Sequence, residues 1–140
     1  MTLYILDTDT ISLFQRNHPV IVSKIKGIEF ANITTTIITV EEQLKGRLNS
    51  IQKAKSQPII STAYRNLKLT IHFFDSITVL DFDENAYNIF QDLKSIRIGS
   101  QDLRISSIAL AFGGVVVTRN QKDFSKIPNL QIQDWTLSNN

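Results

Sequence analysis

Two short runs, Leu3–Leu6 and Val115–Val117, consist almost entirely of apolar, strand-forming side chains. Neither alternates polar with apolar positions, so neither suits a sheet with one wet face. Strands of this kind are covered on both sides. Elsewhere the apolar spacing shifts to the three- and four-residue steps of helices. Short buried strands separated by helices point to an α/β fold of three layers, with a mainly parallel central sheet of about five strands and helices on both faces.

The other elements follow from caps and breakers. A helix is expected from about Thr10 to Arg16, stopped by Asn17-His18-Pro19. Pro19 suits the first turn of a second helix reaching Lys26, and Gly27 closes it. Ile33–Ile38 is a β-branched run and reads as a strand. Thr39 and Glu42 have capping-box spacing and are expected to open the next helix. Ile51 to Asp75 reads as mostly helical, broken around Pro58. Ile77–Phe82 is expected as a strand, and Asp83 as the cap of a helix ending near Lys94. Ser100-Gln101-Asp102 opens a helix apolar on most sides, which Gly113-Gly114 terminates. After Val115–Val117, Asn120 is expected to cap a short helix, and Leu130–Ile132 to form a last strand. No repeat, low-complexity segment or linker interrupts the pattern, so 1–140 reads as a single domain.

Composition narrows the chemistry. There is no cysteine, which excludes disulfides, thiolate catalysis and cysteine zinc sites. His18 and His72 stand alone, without the spacing of a histidine metal pair. The N-terminus leads straight into a strand, without the basic start and apolar run of a signal peptide. No apolar run nears the ~20 residues a membrane helix needs. The expected location is the cytoplasm.

Four acids hold equivalent places. Asp7 follows the first strand, and Glu42 lies in the first turn after the second. Asp102 lies in the first turn of the buried helix, and Asp123 in the first turn after the Val115–Val117 strand. In a parallel sheet the carboxyl ends of all strands share one edge, so Asp7, Glu42 and Asp123 are expected at one rim. Asp102 joins them if its helix begins there. Singly, each is equally an acid placed to favour a helix dipole. Together they repel one another unless a cation is present. Oxygen donors without Cys or His suit Mg²⁺ or Mn²⁺. The net charge of +2 also hides a split. With these four set aside, the 15 basic residues face nine acidic ones, an excess of six that suits a polyanion. A solvated mixed-charge surface explains the same count.

The chain resembles PIN-domain ribonucleases, in particular VapC-type toxins of bacterial type II toxin–antitoxin pairs. The similarity rests on Leu6-Asp7-Thr8-Asp9-Thr10, on Ile38-Thr39-Val40-Glu41-Glu42-Gln43-Leu44-Lys45-Gly46, and on Ile98-Gly99-Ser100-Gln101-Asp102-Leu103-Arg104-Ile105. Val117-Thr118-Arg119-Asn120-Gln121-Lys122-Asp123-Phe124 and the closing Ile132-Gln133-Asp134-Trp135 complete it. The pieces run in order over the whole length. The resemblance implies a PIN-like fold and metal-dependent hydrolysis of RNA, transfer RNA included, with water attacking phosphorus and a 3′-oxygen leaving. It makes Asp7 and Asp102 direct ligands of Mg²⁺ or Mn²⁺, with Glu42 and Asp123 completing the catalytic set. Thr118 and Asn120 would hold its hydrogen bonds. It further implies a small VapB-like antitoxin as partner, and a homodimer.

Some positions depart from the family pattern. Asp9 stands where Asn is usual, as an added carboxylate or a helix N-cap. Ser106-Ser107 replaces a usual pair of alanines, and Gln101 a usual Asn or Tyr. Arg16, Lys45, Arg47, Arg104 and Arg119 are candidates for RNA phosphates, or simply solvated charges. A catalytically degenerate domain that binds RNA or a protein is the alternative of a different class. An Asp-x-Asp phosphatase or a receiver domain would share the opening stretch, but each lacks the later lysine it needs.

Overall fold

The structure is a computed structural model, and residues 1–137 are described. Five strands, Tyr4–Leu6 (β1), Ile33–Thr36 (β2), Thr78–Leu80 (β3), Val115–Val117 (β4) and Gln131–Gln133 (β5), form one sheet in the order β3-β2-β1-β4-β5. Every neighbouring pair is parallel. The first strand is therefore central, with Tyr4 beside Ile33 on one flank and Val115 on the other. From β1 the chain builds outwards to β2 and β3, then returns to place β4 and β5 on the far side. The crevice beyond the carboxyl ends of β1 and β4 is the point where open α/β sheets hold their sites.

The helices are Thr8–Gln15 (α1), Pro19–Lys26 (α2), Ile37–Lys53 (α3), Gln57–Asp75 (α4), Glu84–Leu93 (α5), Ser100–Phe112 (α6) and Gln121–Phe124 (α7). Adjacent residues of a strand face opposite sides, and Ile5 and Leu6 do so here. Ile5 packs with Ile105, Ile108 and Phe124 from α6 and α7. Leu6 packs with Ile11, Ile21 and Phe74 from α1, α2 and α4. These two cores make the three layers. Gly113 ends α6 in the left-handed region at φ 67°, where a side chain would be strained. At Gly114 a Cβ would lie 2.6 Å from Ile5 Cδ1, so the entry into β4 needs a bare backbone.

Several boundaries differ from the sequence expectation. The β-branched run ends as a strand at Thr36, not Ile38, because the Thr36 side chain caps α3 by accepting from the Thr39 amide. Glu42 therefore lies in the second turn of α3, and Thr39 is not its cap. The first helix starts at Thr8, capped by Asp7, so Asp9 is not the N-cap. Asn120 precedes α7 but its side chain makes no capping bond there. The strand at Ile77–Phe82 shortens to Thr78–Leu80, and the last strand shifts by one residue to Gln131–Gln133. Asp83 does cap its helix, accepting from the Ala86 amide.

Candidate active site

Asp7 is fixed from three directions. Its amide donates to the Val117 carbonyl at 3.1 Å, extending the β1–β4 pairing by one bond. Its Oδ1 accepts from the Thr10 amide at 2.9 Å. The Thr10 hydroxyl donates to the Val117 carbonyl at 3.0 Å, tying α1 to β4 across the crevice. Asp7 is only 6% exposed. Burial pushes its carboxyl above the usual range; the Thr118 hydroxyl and the Thr10 groups act the other way, and Asp9 adds a smaller push upwards.

Glu42 reaches the same crevice from α3. Its Oε1 accepts from the Thr8 hydroxyl at 2.8 Å, and that hydroxyl lies 3.1 Å from the Thr39 hydroxyl. On the opposite side a single amide serves two acids. Asn120 Nδ2 donates to Asp102 Oδ2 at 3.2 Å and to Asp123 Oδ2 at 3.1 Å. Asn120 is itself held by its own amide, which donates to the Thr118 hydroxyl at 2.9 Å. The start of α6 is therefore at the rim, as the arrangement of four acids requires. Asp102 senses the others. Its carboxyl is raised to about 6, first by burial and then by the charges of Asp7 and Glu42, with Asp123 adding and the Asn120 bond opposing.

Asp9 lies outside this group. Arg119 grips it from across the crevice mouth, Nε to Oδ2 at 2.7 Å and Nη2 to Oδ1 at 2.9 Å. Both side chains are about half exposed. This fork raises the Arg119 pKa further above its usual value, through the hydrogen bond and charge of Asp9. The polar departures on α6 are satisfied locally. The buried Ser106 and Ser107 hydroxyls donate to the Asp102 and Leu103 carbonyls, each at 2.8 Å. Gln101 donates to Glu41 at 3.1 Å and accepts from Arg104 at 2.7 Å.

Asp7, Glu42, Asp102, Asp123, Thr118 and Asn120 were expected at the site from the sequence, and all six meet here. Thr8 and Thr10 read from the sequence only as capping residues, although Thr8 is what holds Glu42. The Thr-x-Thr pair inside the opening stretch was the available signal. Arg119 stood out only as a charge near the rim, not as the partner of Asp9.

Among the described residues no three His, Asp or Glu side chains form a ready-made set of metal ligands. The charges of Asp7, Glu42 and Asp123 nonetheless reach Asp102. The Asn120 amide donates to two of them, Asp102 and Asp123. The donors are all hard oxygens, and their mutual repulsion is what a divalent cation relieves, so the residues fit Mg²⁺ or Mn²⁺.

No family model matches the chain. Among curated proteins it is 28% identical to a Haemophilus influenzae "Ribonuclease VapC1", over 96% of this chain and 98% of that protein. It is equally 28% identical to the Salmonella typhimurium "tRNA(fMet)-specific endonuclease VapC", over 96% and 99%. Among solved structures, the DNA-bound VapBC of Salmonella typhimurium superposes with a TM-score of 0.79 at 27% identity, covering 96% of this chain and 99% of that one. VapBC-1 of nontypeable Haemophilus influenzae gives a TM-score of 0.74 at 28% identity, over 97% and 100%. Similar to these proteins in sequence and fold along nearly its whole length, the chain has a PIN-like α/β fold and resembles the VapC-type toxins.

Proposed function

We propose that the chain is an endoribonuclease toxin that hydrolyses RNA phosphodiester bonds with Mg²⁺ or Mn²⁺ and is neutralised by a VapB-like antitoxin. The observation that carries this reading is the convergence of Asp7, Glu42, Asp102 and Asp123 at the switch point, with Asn120 bridging two of them. The names of the relatives, a ribonuclease and a tRNA(fMet)-specific endonuclease, support RNA, including transfer RNA, as the substrate class. VapBC complexes among the structural neighbours support the antitoxin partner. No helix among the described residues is long and apolar enough to cross a membrane.

In this reading Asp7 and Asp102 are the direct metal ligands. When bound, such an ion makes water a stronger acid and offsets the charge that grows on the phosphate. The chain's own groups set the geometry. Asn120 turns the Asp102 and Asp123 carboxylates towards the crevice and keeps them apart. Thr8 occupies Glu42 Oε1, which leaves Oε2 to orient the attacking water and accept its proton. Thr118 steadies Asp7 and Asn120 together. The chain acts as a single domain in the cytoplasm, and pairs as a homodimer through apolar residues of α4.

The test is direct. Asp7→Asn and Asp102→Asn should each abolish RNA cleavage by the purified protein and weaken Mn²⁺ binding in calorimetry. Asn120→Ala should weaken metal affinity or activity by roughly 10–100-fold, as loss of a group orienting ligands does. RNA binding without cleavage by the wild type, at any Mg²⁺ or Mn²⁺ concentration, would instead favour a degenerate binding domain.

A further inference from the structure

The seam between α1 and α3 changes character as it leaves the acids. At its start Thr8 donates to Glu42. One turn further, Gln43 donates to the Ser12 hydroxyl at 3.2 Å, and Gln15 and Gln43 exchange amide hydrogen bonds of 2.9 Å each. Beyond them Arg16 and Arg47 line a cavity of about 420 Å³ together with Ser12, Gln15, Gln43 and Gly46. No carboxylate lines it. Among the described residues neither arginine forms an ion pair. Arg47 is not loose in solvent either. Its Nε donates to the Thr70 hydroxyl at 2.9 Å, and Thr70 is 2% exposed on α4. The other guanidinium N–H groups remain for a ligand. Two guanidinium groups and neutral amides around an open cavity suit a phosphodiester.

Gly46 adds an independent observation. It lies within α3 and borders a second cavity, of about 740 Å³, that Glu42 and Lys45 also line. Glycine weakens a helix interior relative to alanine, and no described residue would crowd a side chain there. Its backbone is not left-handed, and a Cβ would meet nothing within 4 Å. The bare backbone keeps space open on the outer surface between the two cavities. Close approach of another molecule's backbone is the use such a glycine serves. From Glu42 to Arg47 the helix advances only about 7.5 Å at 1.5 Å per residue, a short step along a nucleic-acid strand.

We propose that the RNA strand flanking the scissile bond crosses α3 over Gly46 and seats a phosphate between Arg16 and Arg47. This subsite rests on the ribonuclease reading and adds a defined path for the substrate. An antitoxin helix is the less suitable occupant, because helix-in-groove binding needs an apolar floor, and this cavity is floored by amides, hydroxyls and guanidinium groups.

The experiment compares wild type, Gly46→Leu and the double variant Arg16→Gln/Arg47→Gln. Each is assayed on a long RNA that the wild type cuts and on the shortest fragment of it still cut. Both variants should raise KM on the long RNA several-fold, leave kcat unchanged, and cut the short fragment as the wild type does. The arginine variant should flatten the salt dependence of RNA binding by about 0.7 in log–log slope for each phosphate it no longer holds. Gly46→Ala, a better helix former, should shift KM in the same direction by less, and serves if Leu impairs folding. Unchanged KM and salt slope in all variants would overturn the subsite. If Asp102→Asn abolishes cleavage while these variants behave as wild type, the nuclease reading stands and the subsite alone fails. If the wild type cuts no RNA, both fail. Variants that cut RNA normally yet escape inhibition by a protein partner would make the crevice a protein-docking surface, and overturn the proposal.

Discussion

Helices α6 and α4 both carry apolar residues at helical spacing, yet the fold uses them differently. On α6, Leu103, Ile105, Ile108 and Ala109 are at most 4% exposed, and Ser106 and Ser107 are buried with them. On α4, Ala63, Thr70 and Phe74 pack inwards, while Ile59, Tyr64, Leu69 and Ile71 are all more than half exposed. A helix whose middle is buried from Leu103 through Ala109, Arg104 apart, holds its first turn in place, and that turn carries Asp102. A helix packed along one stripe has a second face to offer, and apolar patches on such faces mark interaction surfaces. One helix positions an acid of the candidate site, and the other leaves an apolar face uncovered.

Truncations should separate the two most sharply. Ile108→Ala is expected to destabilise by about 2–5 kcal/mol, as loss of a buried isoleucine does. Ile71→Ala should stay within about 0.5 kcal/mol, as exposed substitutions do. Urea denaturation of the two variants checks this, and similar losses would erase the distinction. If α4 is the homodimer face, Ile71→Ala should instead show its effect in sedimentation.

A subtler difference is electrostatic. The Asp102 carboxyl is raised from 3.8 to about 6 in the fold, so between those values the folded state holds the extra proton. The associated stability is fully present below about pH 4 and is lost as pH rises through about 6. The raised Asp7 carboxyl works in the same direction. Metal-free protein should therefore lose stability from about pH 4 towards 7, and Asp102→Asn should flatten that slope, read from urea midpoints in chelator. Ile71→Ala removes no titratable group, so it should keep the wild-type slope.

The smallest expected effect is at the crevice mouth. Asp9→Asn breaks the fork with Arg119 and should leave the thermal midpoint almost unchanged, because exposed pairs contribute little. Mn²⁺ affinity should also hold. A clear drop would make Asp9 a ligand, and would enlarge the site that α6 anchors.

Much of this was legible in the sequence, for reasons that particular residues make plain. Val115–Val117 could only be a strand covered on both faces, and Asp7 had to emerge beside it. Asp83 announced a helix correctly, because capping is decided within a few residues. The same local rule misled at Thr36. Every residue from Ile33 through Thr39 is β-branched, so propensity offered no stop, and a single hydroxyl-to-amide bond set the boundary. Asp9 was illegible in another way. Its partner lies 110 residues away, and no short-range pattern encodes that pairing. Thr8 and Asn120 read as caps because the alternative, serving acids on other elements, exists only once the sheet has closed.

The central position of β1 has a consequence for timing. The strand Tyr4–Leu6 is made well before its neighbour on one side, Val115–Val117. Until that segment emerges, Tyr4–Leu6 has a bare edge and Asp7 lacks the Val117 carbonyl that fixes its backbone. A product terminated before Val115 carries Asp7, Glu42 and Asp102 without the strand that pairs with β1 and holds the Asp7 backbone. Where the acids depend on β4 in this way, they are gathered only once the segment from Val115 has been made.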